Sequence, residues 1–563
     1  MDVAHSRQTL TLMITLLWMG VVGPTVWATP RGGPPPVMDC WQTFNTSAGG
    51  VRGQAEDETH TCSWLGIPYA APPVGNLRFA APRPPAPWKE IRSTRRFAPR
   101  CMQVGSMELV NFDPSRQEDE DCLYLNVWRP RLKGQLPVMV WIHGGGYFGG
   151  TANTPLYHGD HLAEAANVMV VSMNYRLNVF GFLATEAMVA EDPHHSAGNF
   201  ALLDQIQALT WVKENISAFG GDPNNITIAG ESAGGWSICT LLASPLATGL
   251  FHKAIMESGG CVAATSLPRA YEVARRVEED VGCARGDLDC LRGIPAQKLS
   301  HRAVNFELKG FDWMPRVDGY VLKDRPDRVL RSGEYNRVPL LAGSNRDEIG
   351  VAPALFVGGY LDPGFRYTHR LQRSFGEENA LALSSAYPLS TWRTPASAYK
   401  RIFTEADLYC PTLDGARLSS HFEPATWFYR FDFDDFRYGK LSGSAHAMEL
   451  PFVFGDLKDW PLRPLYGYRH RQKAAELVRQ VQQYWGNFIH HSDPNGEGLV
   501  PWPRVGSPPT ALVLDGEIRA ESLPPAQVER CDLWSRLKDE DPSLIETLGF
   551  PQGRKYLHRQ TAQ

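Results

Sequence analysis

The sequence predicts an α/β fold: a large, mostly parallel central sheet covered by helices on both faces, with long insertions. Three observations predict it. Apolar runs rich in valine and isoleucine recur without polar alternation, as strands buried on both faces require. Stretches with apolar residues at helical spacing separate many of these runs. No linker-like shift in composition divides the chain after residue 37, so residues 38–563 read as one domain.

The elements follow in chain order. "PVMVWI" (137–142) and "NVMVVSMNY" (167–175) read as buried strands. "NFALLDQIQALTWVKENISAF" (199–219) reads as a helix. Four more strands follow: "ITIAG" (226–230), "KAIMES" (253–258), "VPLLAGS" (338–344) and "TWFYRFDF" (426–433). Proline-rich stretches such as "APRPPAPW" (81–88) read as surface connections.

The 563 residues are 43% hydrophobic and 21% charged, with a net charge of −5, the profile of a soluble globular chain. No Lys/Arg-rich run occurs, which argues against a nucleic-acid partner. Residues 1–28 read as a signal peptide: a short polar start, the apolar run 9–22, a Gly-Pro break and a small-residue site at Val26-Trp27-Ala28. That run is too short to span a bilayer comfortably, so no stable membrane insertion is expected after cleavage. Residues 29–37 read as a flexible Pro/Gly-rich arm. Export to a secreted or periplasmic location follows, where the ten cysteines can pair. Spacing does not fix their connectivity, although Cys283 and Cys290 can close a short local loop. Sequons occur at Asn45, Asn215 and Asn225, the last too near a buried strand to favour a glycan.

"TIAGESAGGWS" (227–237) places Ser232 at G-x-S-x-G spacing after a strand and before a helix, the context of a nucleophile elbow. A sharp strand-to-helix turn strains its central residue and leaves no room two residues to either side, so Gly230 and Gly234 fit. The turn lifts the serine oxygen clear and sets the Ala233 amide at a helix N-terminus, where negative charge is stabilised. Glu231 either tunes the site or accepts a local hydrogen bond. Trp236, just past the turn, either reshapes the site or packs on a neighbouring helix.

"WIHGGGYFGG" (141–150) follows a buried strand, and its glycines permit a tight turn with inward amides, the second half of an oxyanion hole. A carboxylate and a histidine should follow Ser232 in that order. "LLAGSNRDEIGV" (340–351) places Asp347 and Glu348 just past a strand. His446, in "SGSAHAMELPFVFG" (442–455), is one candidate base; His490-His491, at the end of an amphipathic helix, is its competitor and reads as surface capping. Pattern alone leaves the choice open among sixteen histidines.

These residues resemble the type-B carboxylesterase and cholinesterase family of α/β hydrolases over nearly all of the mature chain. "FGGDPNNITIAGESAG" (219–234) resembles its serine signature and "EDCLYLNVW" (120–128) its second signature. "LGIPYAAPPVGNLRF" (65–79), "NYRLNVFGFL" (174–183), "AGNFALLDQIQALTWVKENI" (197–216) and "WGNFIHHSDPNG" (485–496) match further family blocks in order. The resemblance implies Ser232 as nucleophile, Glu348 as triad acid, His446 as base, and Gly145, Gly146 and Ala233 as oxyanion-hole donors. It also implies the disulfides Cys101–Cys122, Cys283–Cys290 and Cys410–Cys531, and structural ion pairs Arg78–Glu120 and Arg176–Asp204. Cys40, Cys62, Cys239 and Cys261 are left unassigned; Cys40 and Cys62 flank a candidate hairpin that an extra bridge would close.

The implied activity is ester hydrolysis through an acyl-serine, with a small-molecule ester as partner and no metal or cofactor required. Oligomeric state is left open. Ile349 and Ala447 stand where the family often has glycine, and neither removes a catalytic group. Cholinesterases carry a cation-binding tryptophan in the loop matching 101–122, and this loop has none, which counts against choline esters. "CVAATS" (261–266) is small where cholinesterases place bulk beside the acyl group, which implies a roomier acyl pocket. The alternatives are a lipase or cholinesterase-type esterase, and a non-catalytic cell-surface binding or adhesion protein of the same fold.

Overall fold

Eleven strands form one sheet, and its register explains the uniform hydrophobicity of the central runs. The structure is a computed structural model that describes residues 37–103, 117–304, 312–350, 364–392, 394–457 and 465–546. The expected signal peptide, residues 29–36 of the arm and residues 104–116 of the tryptophan-free loop lie outside the described residues. In chain order the strands are β1 (Gln54–Ala55), β2 (Thr61–Pro68), β3 (Tyr124–Pro130), β4 (Leu136–Ile142), β5 (Met169–Met173), β6 (Gly221–Glu231), β7 (Lys253–Glu257), β8 (Leu340–Asn345), β9 (Thr426–Phe431), β10 (Thr510–Leu514) and β11 (Arg519–Ser522). Their spatial order is β11-β10-β9-β8-β7-β6-β4-β5-β3-β2-β1. The run from β10 to β5 is parallel throughout, and the edges turn antiparallel at β5–β3, β3–β2, β2–β1 and β10–β11.

Alternate residues of each central strand feed opposite cores. Val138, Val140 and Ile142 of β4 join one apolar cluster, while Met139 and Trp141 join the other. Leu340 and Ala342 of β8 face the first cluster and Leu341 the second. Both clusters are roofed by helices, so both sets of side chains are buried and period-two polarity is absent. Helices α1 (Phe200–Asn215), α2 (Ala233–Ala243), α3 (Cys410–Ser420) and α5 (Pro525–Glu540) bury residues in the first core. α4 (Tyr468–His491) covers the second through Leu477, Val481, Trp485 and Phe488.

The six predicted strands all lie in this sheet, and the helix predicted over 199–219 is α1 followed by a 3-10 turn, Ile216–Phe219. The strands β1, β2, β3, β10 and β11 were not among the predicted runs. Each lies toward an edge of the sheet, and all but β10, a short apolar run after Thr510, carry polar, glycine or proline residues that interrupt the apolar signal.

Five disulfides join the described cysteines: Cys40–Cys62, Cys101–Cys122, Cys239–Cys261, Cys283–Cys290 and Cys410–Cys531. The Arg78–Glu120 and Arg176–Asp204 pairs are both formed and largely buried. Among the sequons, Asn45 is exposed, whereas Asn215 is buried and accepts from the Ser47 amide at 2.6 Å. The Asn225 side chain is held by the Lys253 ammonium and the His490 carbonyl.

Candidate active site

Ser232 sits at the C-terminal end of β6 and caps α2 with φ 59° and ψ −123°. Positive φ is costly for a residue with a side chain and persists only where surroundings enforce it. Two backbone bonds enforce it here: the Ser232 amide donates to the Glu257 carbonyl at 3.0 Å, and the Trp236 amide donates to the Ser232 carbonyl at 2.9 Å. Close packing fixes the flanking glycines. A Cβ on Gly230 would lie 2.8 Å from the Ile142 oxygen, and one on Gly234 would collide with that same oxygen.

The glycine loop after β4 lies against this turn. A Cβ on Gly144 would stand 2.9 Å from Ser232 Cβ. Gly145 and Gly146 adopt φ 109° and 62°, and the loop closes through Phe148 and Gly149 amides donating to the Gly145 carbonyl at 3.2 and 3.0 Å. Two buried side chains anchor it. His143 stacks on Tyr175 at 4.4 Å, its Nδ1 lies 2.8 Å from the Gly144 carbonyl, and burial pushes its ring down to about 4, so it stays neutral. Gln103 makes a reciprocal amide pair with Gly150, donating Nε2–H to its carbonyl and accepting from its amide, each at 3.0 Å. Trp236 is buried and packs beside this loop, its ring 5.9 Å from that of Tyr147.

Glu348 and Asp347 follow β8 and diverge. Glu348 is buried; its Oε1 accepts from the Asn345 amide at 2.7 Å and from the Ser344 hydroxyl, and its Oε2 lies 2.8 Å from His446 Nδ1. The His446 amide also donates to the Glu348 carbonyl at 2.9 Å, tying the two loops together. Asp347 points the other way, into Arg346 at 2.8 Å and Lys400 at 3.0 Å. His490 and His491 end α4, with His490 Nε2 3.0 Å from the Ala166 carbonyl, in contact with neither Glu348 nor Glu231.

His446 Nε2 lies 3.1 Å from Glu231 Oε1. Glu231 is therefore an intimate partner of the imidazole. Two more buried carboxylates stand behind it. Glu449 accepts from Asn345 Nδ2, and Glu257 accepts from Trp485 Nε1 at 2.8 Å. Burial pushes the Glu257 carboxyl up to about 8, opposed by the Trp485 bond and reinforced by the Glu231 charge. Glu231 and Glu449 are raised by burial and by their carboxylate neighbours, with the His446 charge opposing. Burial would depress the His446 ring, but the Glu231 charge, the Glu348 bond and charge, and the Glu449 charge outweigh it and raise the ring to about 10. No signal in the sequence marked Gln103, Glu257 or Glu449, although Glu449 falls three residues after His446 at the mouth of a short helix, Leu450–Phe454.

The described residues contain no group of three or more His, Cys, Asp or Glu side chains arranged to hold a metal ion. What they assemble is a strained serine on a helix N-terminus, a glycine loop against it, and an imidazole hydrogen-bonded to a buried carboxylate. The profile of the carboxylesterase family matches residues 42–534.

The chain belongs to the carboxylesterase family.

The relatives it matches are esterases, and this chain is a carboxylic-ester hydrolase. It is similar to the para-nitrobenzyl esterase of Bacillus subtilis, 36% identical over 498 residues that cover 86% of this chain and 97% of that protein. Carboxylesterase 1C of Rattus norvegicus is 32% identical over 574 residues, covering 95% and 99%. The solved structure of a PNB esterase superposes with a TM-score of 0.76 at 34% identity, covering 87% of this chain and 99% of that one. The α/β-hydrolase fold is thus common to this carboxylesterase and its solved relatives. Among the described residues, no helix of this carboxylesterase is long and apolar enough to cross a membrane.

Proposed function

We propose that this carboxylesterase hydrolyses carboxylic esters through an acyl-serine intermediate carried by Ser232, with His446 as base, Glu348 as its orienting acid and the amides of Gly145, Gly146 and Ala233 as oxyanion-hole donors. The observation that carries the reading is the His446 Nδ1–Glu348 Oε2 contact of 2.8 Å, with the opposite ring nitrogen 3.1 Å from Oε1 of Glu231, the residue before Ser232. That contact fixes the imidazole and stabilises the imidazolium formed in the reaction.

In the forward half-reaction, His446 Nε2 takes the Ser232 proton as Oγ bonds to the ester carbonyl carbon. The carbonyl oxygen becomes an oxyanion facing the glycine-loop and Ala233 amides, each such donor worth roughly 10²–10³ in rate. Collapse expels the alcohol, which takes the proton from His446. Water then repeats the sequence and releases the carboxylic acid and free Ser232.

The substrates are small-molecule esters. The run of small residues after β7 favours an acyl pocket with more room than that of cholinesterases. The absence of tryptophan between Cys101 and Cys122 disfavours choline esters. Five disulfides and the N-terminal apolar run support secretion or a periplasmic location.

Hydrolysis of p-nitrophenyl butyrate tests the reading, with Ser232→Ala as control. Turnover by the wild type that falls about 10⁵-fold or more in the variant supports it. A folded wild-type protein with no turnover favours the binding-protein alternative, and faster hydrolysis of acetylthiocholine or emulsified triglyceride favours the cholinesterase or lipase alternative.

A further inference from the structure

The disulfide Cys239–Cys261 stands next to the elbow. Cys239 lies on α2, seven residues past Ser232, and Cys261 lies in the segment that leaves β7. In the sheet β7 and β4 are the two neighbours of β6. The segment after β7 therefore borders Ser232 on the side opposite the glycine loop, which follows β4. The Glu257 carbonyl at the end of β7 already accepts the Ser232 amide at 3.0 Å.

The segment is fastened to α2 at two points one helical turn apart. Gly235 and Cys239 are four residues apart and share a helix face. A Cβ on Gly259 would lie 2.7 Å from the Trp236 amide nitrogen, with Gly235 backbone atoms closer still, so the two backbones touch there. Two residues on, Cys261 is bonded to Cys239, with the Cα atoms 5.3 Å apart. Gly260, between the two fastenings, takes φ 85°, so the segment turns there while both of its neighbours stay against α2.

Its other side is blocked by α3. A Cβ on Gly260 would lie 2.8 Å from the Pro411 carbonyl carbon, and one on Gly415 would lie 2.7 Å from Cys261 Sγ. α3 is itself bonded to α5 through Cys410–Cys531. The segment's own side chains are absent or small: Gly259, Gly260, Val262, Ala263 and Ala264. A wall built from such residues has little side-chain interdigitation to resist displacement, and the bridge supplies that resistance.

We propose that the Cys239–Cys261 bridge holds residues 259–264 as a fixed wall beside Ser232 and so limits the acyl chain length that the site accepts. This rests on the acyl-serine reading above and deepens it by naming what sets acyl preference. A bridge acting on stability alone, by constraining the unfolded chain, would not distinguish one acyl group from another.

The test compares kcat/KM for p-nitrophenyl acetate, butyrate and octanoate in the wild type, the Cys239→Ala/Cys261→Ala double variant and a Cys283→Ala/Cys290→Ala control. The octanoate-to-acetate ratio is expected to rise about ten-fold in the first double variant, the scale of a few methylene contacts in a hydrophobic pocket. It is expected to stay at the wild-type value in the control. A ratio unmoved in the first variant, with activity retained, overturns the proposal. Should that variant not fold, Gly415→Ala keeps the bridge and presses Cys261 from α3 toward α2; it should lower the ratio, and an unmoved ratio overturns the proposal. Folded wild-type protein that turns over none of the three esters overturns the acyl-serine reading and the proposal together. An active wild type with an unmoved profile overturns the proposal alone.

Discussion

The Nε2 of His446 lies 3.1 Å from Glu231 Oε1, so the nitrogen proposed to receive the serine proton faces a carboxylate one residue before that serine. With Glu348 on Nδ1, the imidazole stands between two acids. Such a clamp favours imidazolium, which is the product form of the base in the reaction and the wrong form for starting it.

Glu231→Gln should therefore shift the acid limb of kcat/KM to lower pH. His446 acts as a base only when neutral, and the Glu231 charge is the foremost influence raising its affinity for the proton. Removing that charge lets the ring deprotonate at lower pH, by about one unit or more for a contact this close. A pH profile with p-nitrophenyl butyrate checks it, and an acid limb that stays in place counts against the clamp.

Glu348→Gln should cost about 10³–10⁴ in kcat, because the amide selects the wrong imidazole tautomer and no longer balances the imidazolium. Asp347→Asn, one residue earlier, should leave kcat near wild type and act on stability instead. Burial would raise the Asp347 carboxyl, but the charges and hydrogen bonds of Lys400 and Arg346 hold it below the ordinary value. A carboxyl lowered in the folded state adds stability above its unfolded pKa of about 3.9, and that contribution is lost as pH falls through the folded value. The variant should be less stable at pH 7 by about 1–3 kcal/mol. The gap should close toward acid pH, as parallel thermal melts at several pH values would reveal.

Gln103→Ala should lower kcat about ten- to a hundred-fold with little change in KM. Its amide pair with Gly150 holds the far end of the glycine loop, and a loop set adrift by a fraction of an ångström misaligns donors that matter most in the transition state. Steady-state kinetics separate the two constants; a change confined to KM would place Gln103 in substrate binding instead.

Gly234→Ala should cost about 10² in kcat, since the new Cβ meets the Ile142 oxygen and must displace the elbow from β4. Active-site titration with a serine-directed organophosphate distinguishes a slow, intact site from a smaller folded fraction. Full activity would mean that the elbow has slack that the packing denies.

The amino-acid sequence by itself determined the alternation of buried strands and helices, because a strand covered on both faces must be apolar at every position, and Val138 through Ile142 announce that without help from the rest of the chain. It also marked the turn at Ser232 and the glycines of 145–146, where local sterics admit few residue types. It left Asp347 and Glu348 as neighbours of equal promise, and His446 and His490-His491 as rivals, and a family resemblance made the choice between them. In the folded chain, adjacent residues past a strand point apart, so Glu348 meets His446 while Asp347 meets Arg346 and Lys400. Only the tertiary structure placed Glu231 and Glu449 around the same imidazole with Glu257 behind Glu231, paired Gln103 with Gly150, and bonded Cys239 to Cys261. Those relations join residues that local pattern does not link; the sheet order and the packing of α2, α3 and α4 against it bring them together, and contact energies at such distances along the chain leave no period or spacing to read.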